Sequence, residues 1–123
     1  MTASPFVILY VEDDDLVRDS FAELLATAER RIVAVANGAG AREALREQNV
    51  NLLMTDLNLP DGSGLEVARE ALRQNPELPV IICSGHDLRE VARSLGPTAH
   101  PLMKPVDLDE LEALVERLAR RST

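Results

Sequence analysis

Reactive polar side chains follow four short apolar runs of this sequence, at the position where each run ends. They are Glu12 and Asp13 after the first run, Asp56 after the second, Ser84 after the third and Lys104 after the fourth. If the runs are parallel strands, these side chains gather at one edge of a sheet, where open α/β folds bind ligands. Three carboxylates, a hydroxyl and an ammonium group together could hold a divalent metal ion and a phosphoryl group.

Glu12 and Asp13 are the strongest candidates for metal binding. Adjacent carboxylates directly after a buried strand repel each other and lose hydration, which is costly unless a cation offsets both charges. Mg²⁺ binds such oxygen-rich acidic sites. The alternative is an acidic helix N-terminus, and we prefer it for Asp14 and Asp15, which follow directly.

Asp56 and Lys104 have the residue types that phosphoryl transfer requires. A carboxylate that stays ionised near Mg²⁺ can attack phosphorus and form an aspartyl phosphate, while an ammonium pairs with a phosphoryl oxygen. The alternatives are a structural Asp that caps a loop and an ordinary surface Lys. Convergence at one sheet edge favours the functional interpretation of both, and Pro105 restrains the chain beside Lys104.

The remaining polar candidates carry weaker signals. Ser84 could donate a hydrogen bond to a phosphoryl oxygen, although Ser-Gly is also an ordinary turn. His86 could overhang the same edge, whereas His100 is expected in a turn, and neither has zinc-ligand spacing. Cys83 is expected to be a buried, inert thiol.

Length and charge exclude several classes of protein. With 123 residues, the chain is expected to form one domain, residues 1–123. The net charge of −8 argues against direct nucleic-acid binding and against an acidic membrane surface. No signal peptide or membrane-spanning run is evident, so the cytoplasm is the expected location.

Apolar runs alternate with stretches of helical period five times. The strands are predicted at 6–11, 32–35, 52–55, 80–83 and 102–103, with helices between them and after the last. For the first helix, the predicted inward stripe includes Leu24, Leu25 and Ala28. Strands that run apolar without alternation, separated by helices, indicate an α/β fold with a doubly wound parallel sheet.

At these positions the chain resembles the receiver domains of bacterial response regulators, the phosphorylated partners of two-component histidine kinases. The resemblance covers essentially the whole chain. It is carried in combination by the motifs Ile8-Leu9-Tyr10-Val11-Glu12-Asp13-Asp14, Met54-Thr55-Asp56-Leu57-Asn58-Leu59-Pro60-Asp61-Gly62-Ser63-Gly64, Val80-Ile81-Ile82-Cys83-Ser84-Gly85 and Met103-Lys104-Pro105. It implies a flavodoxin-like sheet of five strands in the order 2-1-3-4-5, with five helices.

The resemblance also implies roles for individual residues. Asp56 would accept a phosphoryl group from a sensor histidine kinase or a histidine phosphotransfer protein, and Ser84 and Lys104 would contact that group. Mg²⁺ would be held by Asp13 with the help of Glu12, by Asp56 and by the backbone carbonyl of Asn58. The side chains of Asn58 and His86 would tune the lifetime of the phosphoaspartate. A downstream effector domain or protein would read the resulting conformational change.

Two residues depart from the family pattern. Pro101 stands where members often carry Tyr or Phe, so an aromatic switch coupled to Ser84 cannot operate, and Val106 stands where Phe often occurs. These differences concern output and leave the phosphoryl chemistry intact. Pro101 fits an edge strand, where one missing N–H costs little.

Two other classes of function compete with the phosphorylated switch. A docking receiver that works without phosphorylation would keep the fold but lack Mg²⁺ binding. An aspartate-nucleophile phosphohydrolase needs an acid two residues after the nucleophile, and Asn58 cannot serve as one. We therefore expect a signalling switch and not an enzyme. The sequence is compatible with a stand-alone receiver and with a piece of a hybrid kinase or larger regulator.

Overall fold

The computed structural model describes residues 4–121. Strands and helices alternate along this part of the chain. The strands of the main sheet are β1 (Phe6–Val11), β2 (Arg30–Val35), β3 (Leu52–Asp56), β4 (Val80–Ser84) and β5 (Ala99–Met103). The helices are α1 (Asp15–Leu25), α2 (Gly38–Glu47), α3 (Gly64–Gln74), α4 (Arg89–Leu95) and α5 (Leu108–Arg121). In this part of the chain, no helix combines the length and the apolar character that crossing a membrane requires.

The five strands are parallel and lie in the order β2-β1-β3-β4-β5, which confirms the predicted α/β fold. The central strand is β3, so Asp56 ends the most protected strand of the sheet. Parallel pairing brings the carboxyl ends into register, with Val11 opposite Thr55, Asp56 opposite Cys83 and Ser84 opposite Met103. All predicted strand-end residues therefore lie along the same edge.

Both faces of the sheet are covered, and this explains the uninterrupted apolar strands. One core cluster packs α1 and α5 on the sheet, with Ile8, Leu25, Met54, Ile81 and Leu111 among its members. The other packs α2 and α3 on the opposite face, with Leu9, Ala41, Leu53, Val67 and Ala71 among its members. Successive residues of β1 and β3 contribute to opposite clusters, as the period of a strand requires.

Side-chain caps fix where several helices begin. Asp14 accepts a hydrogen bond from the N–H of Val17 at 3.0 Å, and Asp107 accepts one from the N–H of Glu110 at 3.0 Å. The assignment of Asp14 to a helix N-terminus is confirmed, and both caps satisfy N–H groups that the first helical turn leaves without a partner.

The predicted inward stripe of α1 is wrong at two positions. Leu25 is fully buried, but Leu24 is 54% exposed and Ala28 lies beyond the helix in an exposed turn. Adjacent helical residues point about 100° apart, so a face centred on Leu25 turns Leu24 toward solvent. The helix stops at Leu25 because the chain turns back through Thr27 to begin β2 at Arg30.

Two strands begin earlier than predicted, and one histidine was assigned to the wrong element. β2 begins at Arg30, which pairs with Phe6 of β1, and the largely buried Arg30 guanidinium binds Glu112 of α5 at 2.5 Å. Ala99 begins β5, so half-buried His100 lies in a strand and not in a turn. Pro101 is exposed on β5, an edge strand as predicted, where its missing N–H does not interrupt the sheet.

Candidate phosphoryl and metal site

The acidic residues at the ends of β1 and β3 meet at the edge of the sheet. Carboxylate oxygens of Glu12, Asp13 and Asp56 all lie within 4.8 Å of one another. Glu12 and Asp56 are buried, with 3% and 7% of their surfaces exposed, whereas Asp13 is exposed. The group is therefore open to solvent on one side and closed by protein on the other.

Lys104 supplies the positive charge of this cluster. Its Nζ lies 2.8 Å from Oδ1 of Asp56 and 3.3 Å from Oε1 of Glu12. The backbone places it there, because the Lys104 N–H donates to the carbonyl of Ser84 at 2.8 Å and joins the ends of β4 and β5. The peptide bond from Lys104 to Pro105 is cis.

The surroundings of Asp56, Glu12 and Lys104 shift the pKa values of all three side chains. Burial, together with the nearby Glu12 carboxylate, raises the pKa of Asp56 to about 7, although Lys104 opposes the rise. Burial also acts to raise the pKa of Glu12, but a hydrogen bond from the Asp14 N–H, Asp56 and Lys104 outweigh it and lower that pKa. For Lys104 the two carboxylates outweigh burial and raise its pKa. Lys104 thus stabilises the ionised forms of both buried carboxylates, and burial still dominates at Asp56.

The donor set fits a hard divalent cation. Three carboxylates within 4.8 Å offer only oxygen ligands, which suits Mg²⁺ and disfavours metals that require thiolate or imidazole. Asn58 begins a short hairpin directly after β3, in which Asn58–Leu59 pairs with Gly62–Ser63. Its backbone carbonyl is the further ligand that the family resemblance implied.

Ser84 is the last residue of β4, and His86 lies on the loop that follows this strand. Ser84 is buried, and its hydroxyl oxygen accepts a hydrogen bond from the His86 N–H at 3.2 Å. The hydroxyl hydrogen is therefore available to another acceptor. The side chains of His86 and Asn58 are both exposed. Cys83 is buried as expected, and burial raises the pKa of its thiol to about 12.

Sequence reasoning missed two residues that support the cluster. Arg18 of α1 donates from Nη1 to the carbonyl of Glu12 at 2.9 Å and pairs with Asp15 at 2.6 Å. Gly64 lies so close to β3 that an added Cβ atom would be 1.9 Å from the carbonyl oxygen of Asp56. The spacing of Asp15 and Arg18 is that of a helical i,i+3 pair, a signal that the sequence analysis did not use, and no local signal indicates the contact with Glu12.

A family model described as the response regulator receiver domain matches residues 8–116. The chain belongs to this family. The receiver domain is 34% identical to the DNA-binding transcriptional regulator NtrC of Escherichia coli K12 over 113 residues, 90% of this chain and 24% of that protein. It is 32% identical to the response regulator receiver protein CpdR of Brucella abortus over 117 residues, 90% of this chain and 94% of that protein. The chain thus spans about a quarter of NtrC and nearly all of CpdR.

A solved structure confirms the fold of the receiver domain. The CheY-like response regulator receiver domain protein from Methanospirillum hungatei superposes with a TM-score of 0.83 and 28% sequence identity. The match covers 97% of this chain and 98% of that one. The fold of this chain, with its five parallel strands, is therefore shared with that receiver domain.

Proposed function

We propose that this receiver domain is a phosphorylation switch that accepts a phosphoryl group on Asp56 from a phosphohistidine. The donor is a sensor histidine kinase or a histidine phosphotransfer protein. The observation that carries the proposal is the meeting of three carboxylates within 4.8 Å, with Lys104 Nζ at 2.8 Å from Asp56. A buried carboxylate at the end of the central strand would be costly without such a task.

The reaction exchanges one bond to phosphorus for another. A carboxylate oxygen of Asp56 attacks the phosphorus atom while the phosphorus–nitrogen bond of the phosphohistidine breaks and its electron pair remains on the imidazole. Lys104 pairs with a phosphoryl oxygen, and the free hydrogen of the Ser84 hydroxyl is donated to another. The exposed side chains of Asn58 and His86 border the path of water and tune the lifetime of the product.

Mg²⁺ is the proposed cofactor. Glu12, Asp13, Asp56 and the carbonyl of Asn58 would hold it, and when bound it would offset the negative charge of the carboxylates and the phosphoryl oxygens. The raised pKa of Asp56, about 7, supports a role for a bound cation, because the acceptor carboxylate must be ionised to attack phosphorus.

The signal is a conformational change that an effector domain or protein reads. Arrival of a dianionic group draws Ser84 and Lys104 toward Asp56 and biases the loops at this edge between two states. The relative NtrC is a DNA-binding regulator by its name. For this chain, with a net charge of −8, we assign any contact with DNA to an effector and not to the receiver domain.

Labelling with a small phosphodonor tests the proposal. Incubation with acetyl phosphate and Mg²⁺ should add one phosphate, detected by intact-mass spectrometry, and omission of Mg²⁺ should suppress it. Asp56→Asn should abolish labelling, while the matched change Asp109→Asn, at an exposed position of α5, should not. Equal labelling of the Asp56→Asn protein would refute the assignment, and absence of Mg²⁺ binding by the wild type would indicate a docking receiver.

A further inference from the structure

The tip of the hairpin that follows Asp56 is attached to the first turn of α2. Asp61 lies in the hairpin turn, and its two carboxylate oxygens accept hydrogen bonds from the N–H groups of Gly38 at 2.7 Å and Ala39 at 2.9 Å. These donors belong to the first turn of a helix, where N–H groups have no partner within the helix. The contact joins segments 22 and 23 positions apart and is separate from the cap that Asn37 provides to Gly40.

Gly38 provides the space that this contact requires. A Cβ atom at this position would lie 3.1 Å from Oδ1 of Asp61 and 3.1 Å from an arginine nitrogen of Arg42. The hydrogen bonds from Gly38 and Ala39 lower the pKa of Asp61, so the carboxylate is ionised at neutral pH. Arg42 also pairs with Glu70 of α3 at 2.6 Å.

The hairpin is short enough to transmit restraint from its tip to its base. Asn58 pairs with Ser63 and Leu59 with Gly62, and the Leu59 side chain is buried in the core beneath α2 and α3. At the base, the N–H of Gly64 donates to the carbonyl of Leu57 at 2.7 Å. Holding Asp61 against α2 therefore restricts the backbone of Asn58, three residues earlier.

We propose that Asp61 is a positioning residue for the metal site, because it holds the hairpin so that the Asn58 carbonyl faces the cation. The inference rests on the proposed function, in which that carbonyl is a ligand. A carbonyl held in place before binding loses less conformational freedom when the ion arrives, and this strengthens binding. Residues that orient ligands from outside the first coordination sphere have this effect in other metal sites.

Two matched variants distinguish positioning from simple helix capping. Asp61→Ala and Asn37→Ala each remove hydrogen bonds to the first turn of α2, but only Asp61→Ala releases the hairpin tip. Calorimetric titration should show that Asp61→Ala weakens Mg²⁺ binding on the order of tenfold. Asn37→Ala should leave the Mg²⁺ affinity unchanged. In metal-free protein, hydrogen exchange of the peptide covering residues 57–63 should accelerate in Asp61→Ala and not in Asn37→Ala.

Other outcomes separate this inference from the proposed function. Wild-type Mg²⁺ affinity in Asp61→Ala, or equal weakening in both variants, would overturn the positioning role while leaving the phosphoacceptor assignment intact. Absence of Mg²⁺ binding by the wild type would overturn the metal site itself and this inference with it. If Asp61→Ala does not fold, Gly38→Ala, which crowds the carboxylate without removing it, should weaken Mg²⁺ binding in the same direction, and wild-type affinity would overturn the proposal.

Discussion

Replacing Gly64 with alanine tests how tightly the backbone around Asp56 is held. Gly64 begins α3, and an added Cβ atom would be 1.9 Å from the Asp56 carbonyl oxygen and 2.9 Å from Oγ1 of Thr55. Since such contacts are essentially never below 3.0 Å, α3 would have to move from β3 by about 1 Å. Both neighbours are buried and the Asp56 carbonyl belongs to the backbone, so we expect the free energy of unfolding to fall by about 3 kcal/mol.

The same change should impair phosphorylation of the molecules that remain folded. A displacement of about 1 Å at a reacting group can cost about 100-fold in rate, so labelling by acetyl phosphate should slow on that order. Urea unfolding measures the first effect, and the initial rate of mass increase in native buffer measures the second. Gly85→Ala is the stability control, because apart from its own chain neighbours no atom of residues 4–121 lies within 4 Å of its added Cβ. Its free energy of unfolding should change by less than about 0.5 kcal/mol.

Two results would contradict this reasoning. Wild-type stability of Gly64→Ala would mean that α3 and β3 separate without cost, contrary to their close packing. A destabilised variant that labels at the wild-type rate would mean that this contact does not position Asp56.

Three further predictions concern the charged edge, the core and a histidine. Lys104→Met removes the cation beside the buried carboxylates, so the free energy of unfolding of the metal-free protein, measured in urea, should fall by about 2 kcal/mol. Mg²⁺ should then stabilise the variant more than it stabilises the wild type. Equal stabilisation of both proteins by Mg²⁺ would refute this. Leu25→Ala should cost about 3 kcal/mol because the side chain is fully buried, whereas the half-exposed Leu24→Ala should cost less than about 0.5 kcal/mol. Burial and two arginines of α5 lower the pKa of His100 in the folded protein. The neutral imidazole therefore stabilises the fold above about pH 6.5, the pKa of histidine in the unfolded chain. This stabilisation should be lost as the pH falls through the lower pKa of the folded state. Because Asp56, with its raised pKa, gains stability over the same range, the measurement is the difference between proteins: in urea unfolding from pH 8 to pH 5, the wild type should lose stability relative to His100→Gln.

The strands, and the sheet edge that carries the site, were predictable because burial of a strand on both faces requires an apolar run in the local sequence. Apolar runs such as that of β3 identify strands covered on both faces, and parallel strands place their carboxyl ends together whatever their lengths. Asp56 and Lys104 could therefore be assigned to one edge before any distance was known. Their roles in phosphoryl transfer stay a prediction.

The positions that were predicted wrongly carry no distinguishing signal in the local sequence. Leu24 and Leu25 are equally apolar, and which of them is buried depends on how α1 is rotated against the sheet. His100 precedes a proline, which suggested a turn, but an edge strand tolerates proline and β5 begins earlier.

Sequence alone determined which residues of this receiver domain can do chemistry and that they share one edge of a parallel sheet. The tertiary structure decided the contacts that support them, namely Arg18 on the Glu12 carbonyl, Gly64 against Asp56, and Asp61 on the first turn of α2. Residue types and the spacing of apolar residues can be read within each segment of the sequence. Distances between segments depend on how helices pack on a twisted sheet, which no single segment encodes.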